Sequence, residues 1–347
     1  MTQARERSTN QESDGHKNAV TQTRTLRALL IALAAMLCAI PSSPQAGAQE
    51  RAPGAGAIES IQVRPNVYVI FGAGSNIVMH VGEDGIILVD SGSAAIAQQV
   101  VLEIKRISKA PIRLIINTSA DADHIGGNEG IAREGANLNA NALTSGAGIL
   151  AHENVLNRVS APTGQQAPYP ESIWPTETYI SKSKSMYVND DGMQVIHQPA
   201  AHSDGDSIVF FRRADVIATG DIIDLRRFPV ISEASGGTIQ GELDALNGLV
   251  ELAIPAMPFV YKQGRTYLVP GHGPIADHAD LVDYRDMVTI IRDRIKSMIE
   301  KGLTLEQVKA ANPAQGYRSR YGSDSGSWTT DMFVDAVYRS LRSATGS

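Results

Sequence analysis

The sequence predicts a mixed α/β fold. Short apolar runs recur, as in Ile112-Arg113-Leu114-Ile115-Ile116, and such runs bounded by turn residues read as buried strands. Other stretches carry apolar side chains three or four apart, as at Ile96, Val100, Val101, Ile104 and Ile107, the spacing of one helix face. The two kinds alternate along residues 58–276. Strand, helix, strand in that order suggests a crossover connection and parallel pairing.

The first 48 residues read as a leader. Arg24 and Arg27 precede an apolar stretch, Ala28 to Ile40, which Pro41 ends, and Ala46-Gly47-Ala48 offers a small-x-small cleavage site. That is the layout of a secretory signal, here behind a long polar lead, residues 1–23. The apolar run is short for a membrane span. Cleavage after Ala48 implies a secreted or periplasmic protein with no stable span. It would also remove Cys38, the only cysteine, leaving neither a disulfide nor a thiolate ligand. Residues 49–57, QERAPGAGA, are a linker by composition. The net charge of -6, the pI near 5.8 and the lack of a basic cluster argue against nucleic-acid binding.

From there the elements follow in order. Ile61 to Ile70 reads as a strand bent at Pro65-Asn66, Asn76 to Val81 as a second and Gly85 to Asp90 as a third, with Glu83-Asp84-Gly85 as a hairpin turn. Ala94 to Ser108 is a helix leading to the strand at 112–116. Asn128 to Glu134 starts a helix, and Ala140 to Asn157 holds a short strand and a helix on which His152 reads as a surface residue. Pro162 to Pro175 is a loop, with Tyr169 and Trp174 read as packing residues. Ser185 to Val188 and Gly192 to His197 form a hairpin; His197 reads as an ordinary strand residue. Strands follow at Ser207 to Arg212, Asp215 to Thr219 and Thr266 to Val269. The loop Leu225 to Gly237, with Phe228, Pro229 and Ile231, offers an apolar substrate wall, and Ile239 to Leu252 is a helix. In the tail, Leu281, Tyr284, Val288, Ile291, Ile295 and Met298 form one helical stripe ended by Gly302. Thr304 with Gln307 fits a capping box, and Asp331 to Ser340 reads as a last helix. The tail shows no chemistry.

The chemistry sits at strand ends. Asn117 to Asn128, NTSADADHIGGN, follows the strand at 112–116 and brings Asp121, Asp123 and His124 together. Two carboxylates and an imidazole there are a metal-ligand or acid/base arrangement. His202, Asp221 and His272 each follow or end a later strand-like run.

These four stretches, in this order, resemble the metallo-β-lactamase superfamily, whose first motif is H-x-H-x-D-H before Gly-Gly-Asn. The resemblance covers most of residues 58–276 and matches at Asp123, His124, Gly126, Gly127, His202, Asp221 and His272. It departs at the first two motif histidines, which are Ser119 and Asp121 here. It implies a four-layer αββα sandwich over 58–276, with a helical C-terminal extension, 277–347, packed on it. Asp90 is expected to orient the metal loop. The family's first metal site would fall on Ser119, Asp121 and His202 and be weak or empty, because serine is a poor zinc ligand. The second would be complete at Asp123, His124 and His272, with Asp221 as bridge or extra ligand.

The expectation is therefore a hydrolase with one metal, Zn2+ or alternatively Mn2+ or Fe2+, acting on an ester, lactone, lactam or similar bond of a small-molecule substrate. Asp121, Asp123 and His202 are its candidate catalytic residues. The alternative is a pseudoenzyme that keeps the fold as a binding protein: two ligand replacements are what such drift would produce, while the five retained site residues argue against complete loss. Homo-oligomerisation is left open.

Overall fold

The structure, a computed structural model, describes residues 57–139, 141, 145–162, 165–257 and 265–345. The expected leader, Cys38 and all of the linker but Ala57 lie outside the described residues.

Seven strands form one sheet in chain order: β1 (Glu59–Arg64), β2 (Val67–Ala73), β3 (Ser75–Gly82), β4 (Gly85–Val89), β5 (Ile112–Ile116), β6 (Gly148–His152) and β7 (Glu177–Tyr179). The first four are antiparallel; β4 to β7 run parallel. The second sheet has the order β12 (Tyr267–His272), β11 (Val216–Asp224), β10 (Asp206–Phe211), β9 (Asp191–Gln198) and β8 (Ser183–Val188), antiparallel except for the parallel pair of β11 and β12.

Side chains alternate across each strand, and that alternation builds the layers. Val78, Ile87, Val89, Leu114 and Ile116 of the first sheet meet Val195, Val209, Phe211, Val216 and Val269 of the second in a buried core between the sheets. On the outer face of the first sheet, Ile77, Met79, Ile86, Leu88 and Ile115 pack against the helix α1 (Ala97–Ile107) through Val100, Val101 and Ile104. On the outer face of the second, Ile208, Ile217 and Leu268 pack against three helices, Ile239–Leu252, His278–Glu300 and Thr330–Thr345. Helix, sheet, sheet, helix is the four-layer αββα sandwich with its helical C-terminal extension. Buried on both faces, the central strands read as continuous apolar runs. A capping box starts the helix Leu305–Ala310 at Thr304 and Gln307, as the spacing predicts.

Four expectations are corrected. Residues 61–70 are two strands, because Pro65-Asn66 is a hairpin turn that pairs Arg64 with Val67. Asp215–Thr219 is only the first half of β11, which runs on to Asp224. His152 is not on the surface: it closes β6, only 5% exposed, and its Nδ1 accepts from the backbone N–H of Asn154 to cap the next helix. Its ring stacks on His197 at 3.5 Å and 9°, and burial with that second imidazole pushes its pKa down to about 4. Phe228 is no substrate wall; it stacks on Phe333 at 4.7 Å and 6° inside the helical core.

Candidate metal centre

The candidate ligands converge because the parallel strands end at one place. The turn after β5 carries Asp121, and a short helix, Ala122–Ile125, carries Asp123 and His124. His202 follows β9, Asp221 lies in β11 and His272 ends β12. The C-terminal ends of strands are where open α/β sheets bind ligands.

The structure gathers two sets of three candidate ligand atoms, each within 4.8 Å of one another: Asp123, His124 and His272, and Asp121, His202 and Asp221. In the first, His272 Nε2 lies 3.2 Å from Asp123 Oδ2 and 3.3 Å from Asp221 Oδ1. His124 Nε2 lies 3.2 Å from Asp221 Oδ2. Asp221 thus faces both imidazoles. In the second, His202 Nε2 lies 2.9 Å from Asp121 Oδ2. Ser119 belongs to neither set; its hydroxyl donates to Asp121 at 3.1 Å. Asp121 and His202 of the expected first set are thus brought together, with Asp221 beside them.

Partners behind the ligands fix their orientation. His124 Nδ1 is 2.8 Å from Asp90 Oδ2, and Asp90 also accepts from the Thr118 amide and hydroxyl. Asp90 achieves this at a left-handed φ of 64°, which aspartate tolerates better than most residues. His202 Nδ1 sits 2.8 Å from the Val230 carbonyl and Nε2 2.9 Å from the Asp121 carboxylate; both partners are acceptors, so both ring nitrogens donate. Glycines give the space: a Cβ at Gly271 would stand 2.8 Å from both Asp221 Oδ1 and His124 Cε1, and one at Gly220 would stand 2.7 Å from Thr118 Oγ1.

The electrostatics are those of a buried charge cluster. Burial alone would raise the Asp221 carboxyl, but His124, His202 and His272 outweigh it and hold it far below the ordinary carboxylate range. Burial would lower His124; Asp221 and Asp90 together push it well above its usual value. Burial would likewise lower His202, which the hydrogen bond to Asp121 and the charges of Asp206 and Asp221 raise to about 10. Asp206, buried and held by the Ser203 amide and hydroxyl, rises to about 7 because burial outweighs those bonds. The hydrogen bond from His272 pulls Asp123 down against its burial.

A cation fits this donor set. His124 Nε2 and Asp221 Oδ1 are buried and have no hydrogen-bond partner, and buried polar atoms left without partners are costly. Two imidazoles and two carboxylates suit Zn2+, and equally Mn2+ or Fe2+.

A family profile for the metallo-beta-lactamase superfamily matches residues 70–278, more than half of the chain. The chain belongs to the metallo-beta-lactamase superfamily. Among solved structures, a metallo-beta-lactamase from Pontibacter korlensis is similar at a TM-score of 0.51 and 16% identity, covering 67% of this chain and 99% of that one. A double mutant of the sec-alkyl sulfatase PisA1 is similar at a TM-score of 0.61 and 16% identity. The inverting sec-alkylsulfatase Pisa1 from Pseudomonas sp. gives a TM-score of 0.56, again at 16% identity. Both cover 81% of this chain, which spans 50% of their length. At such identity the likeness is one of fold. No curated protein matches. Membership carries hydrolase-type chemistry, divalent-metal binding and small-molecule substrates as family properties. Among the described residues no helix is long and apolar enough to cross a membrane.

The mouth of the centre is a cavity of about 510 Å³ that reaches Asp121 and His202. Its far wall comes from the tail: Trp328, Met332, Asp335, Ala336 and Arg339. The tail, expected to carry no chemistry, thus lines the mouth, because the fold lays its last helix beside His202. A larger groove of about 780 Å³ runs between Thr238 and Arg339 along the last helices and touches none of the candidate ligands. Size does not make it the reaction site, because the convergent donors are elsewhere.

Proposed function

We propose that the chain is a metal-dependent hydrolase, cleaving an ester, lactone, lactam or similar bond through one divalent ion on Asp123, His124, His272 and Asp221. The observation that carries this reading is the pair of buried, unpartnered atoms, His124 Nε2 and Asp221 Oδ1, gathered with His272 Nε2 and Asp123 Oδ2. When bound, the ion supplies Lewis acidity toward a carbonyl oxygen and lowers the pKa of coordinated water toward about 7.

The chain's own residues do the rest. Asp90 holds His124 in the tautomer that directs Nε2 at the site, and partners of this kind raise ligand basicity. The Asp121 carboxylate, half-exposed at the mouth, is the proton acceptor for the attacking water. Burial would raise its pKa, but the hydrogen bond from His202 keeps it ionised. The Ser119 hydroxyl donates to the same carboxylate oxygen, Oδ2, as His202. One ion is the reading because Asp221 turns an oxygen to each of His124 and His272, while Asp121 and His202 satisfy one another. The secretory-signal layout of residues 1–48 supports a periplasmic or secreted location for this chemistry.

The test is turnover of a nitrophenyl ester, a lactone and a β-lactam by protein as purified, after chelation, and after metal return. Activity lost on chelation and regained with metal is expected. Asp121→Asn should lower turnover by about 10²–10⁴-fold with metal content unchanged. Turnover that survives chelation would contradict the reading, and no turnover on any substrate would favour a binding protein.

A further inference from the structure

We infer that the C-terminal helix α2 (Thr330–Thr345), with Trp328 just before it, is the substrate-recognition wall of the centre. It selects substrates carrying an alkyl or aryl group beside the scissile bond. The inference rests on the reading of the centre as a hydrolase site and names its substrate class.

The helix presents two faces. Phe333, Val334 and Val337 are buried in the core beneath it. Met332, Asp335, Ala336 and Arg339 fall at positions i, i+3, i+4 and i+7, one face of a helix, and all four line the cavity that holds Asp121 and His202. The stack of Phe333 on Phe228 fixes the rotation of the helix, so this second face is held toward the mouth.

The chemistry of that face is apolar with a charged end. Met332 is 43% exposed. Trp328 lines the same cavity, and its indole N–H is buried with no acceptor among the described residues. Asp335 and Arg339 pair with each other at 2.6 Å, so neither offers an unpaired charge to a ligand. On the opposite side, Val230 and Ala234 line the cavity together with Ser232 and Glu233, up to His202. A reacting group at Asp121 and His202 would thus place its neighbouring substituent against the apolar side chains of Trp328, Met332 and Ala336. A volume of about 510 Å³ falls among small-molecule sites.

The experiment uses full-length protein with Trp174→Phe, which leaves Trp328 as the only indole. Acetate, butanoate, hexanoate and octanoate, carboxylates resembling hydrolysis products, are titrated while indole fluorescence is followed, and calorimetry gives affinity independently of the fluorophore. Affinity should rise by up to about fourfold per added methylene, the value for burying one CH2, and Trp328 emission should shift with the longer chains. Met332→Gln, polar but uncharged and at an exposed position that does not threaten folding, should flatten the series, weakening octanoate far more than acetate. Trp328→Ala should do the same by calorimetry. Affinity independent of chain length, or a series that survives both substitutions, would overturn the inference. Chain-length-dependent binding together with no turnover of any ester would leave the wall standing and sink the hydrolase reading instead.

Discussion

Glu242 should make this protein lose stability as pH rises, and Glu242→Gln should abolish that loss. The side chain is fully buried in the first turn of the helix Ile239–Leu252, and neither carboxylate oxygen has a hydrogen-bond partner. Burial, followed by repulsion from Asp206, pushes its pKa well above the ordinary glutamate value. A group whose pKa is raised by folding stabilises the fold below its unfolded pKa, about 4.3. That contribution is lost as pH rises towards the folded pKa. Over that range the native state holds one proton more than the unfolded chain, which costs about 1.4 kcal/mol per pH unit. The loss continues with rising pH for as long as the folded side chain stays protonated. Glutamine keeps the shape and stays neutral. Asp206, raised to about 7 by burial, adds a slope of its own. It sees a neutral neighbour in both proteins over this window, so its contribution subtracts out. Urea denaturation of both proteins at half-unit pH steps reads the difference directly. The gap between variant and native protein should widen with pH at about 1.4 kcal/mol per unit. A gap that stays constant would mean that Glu242 is ionised in the folded protein, and the reasoning from its unpartnered oxygens would fail.

Three further outcomes are expected. Asp90→Asn removes the carboxylate that orients His124 and should weaken metal binding by about 10–100-fold in a chelator competition, with the fold intact by circular dichroism. Ser119→His combined with Asp121→His gives the second set two more imidazoles beside His202 and should raise the metal count from one toward two per chain. Phe333→Ala opens a cavity against Phe228 and should cost about 3–5 kcal/mol in chemical denaturation; a cost below about 1 kcal/mol would mean that the helical layer is not part of the core.

What the sequence revealed followed from how local each signal is. The strand at 112–116 and the Asp-Ala-Asp-His turn after it are adjacent in the chain, so both the element and its chemistry could be read directly. His202, Asp221 and His272 were legible because each follows or ends an apolar strand-like run, where a polar side chain stands out in the sequence. The missed features depend on distant partners. His152 looked like a surface residue because only the fold brings His197 over its ring. Asp221 closes the set of Asp121 and His202 only because β11 ends beside the β5 turn. Phe228 looked free to line a pocket until Phe333, more than a hundred residues later, covered it. The stripe at Met332, Asp335, Ala336 and Arg339 reads as an ordinary helix face, and no local pattern says that it opens on a cavity. Glu242 gave no sign, because an acidic residue in a first helical turn ordinarily reads as a favourable charge near the helix N-terminus.

The central claim is that Asp123, His124, His272 and Asp221 hold one divalent ion, and metal content per chain tests it most directly. Protein purified without added metal or chelator should carry about one tightly held ion per chain, and His272→Ala should carry essentially none while remaining folded. An empty native protein that takes up no zinc or manganese, or a His272→Ala variant with undiminished metal, would contradict the account. Two ions in the native protein would overturn its mononuclear form and make Asp121 and His202 ligands rather than proton carriers.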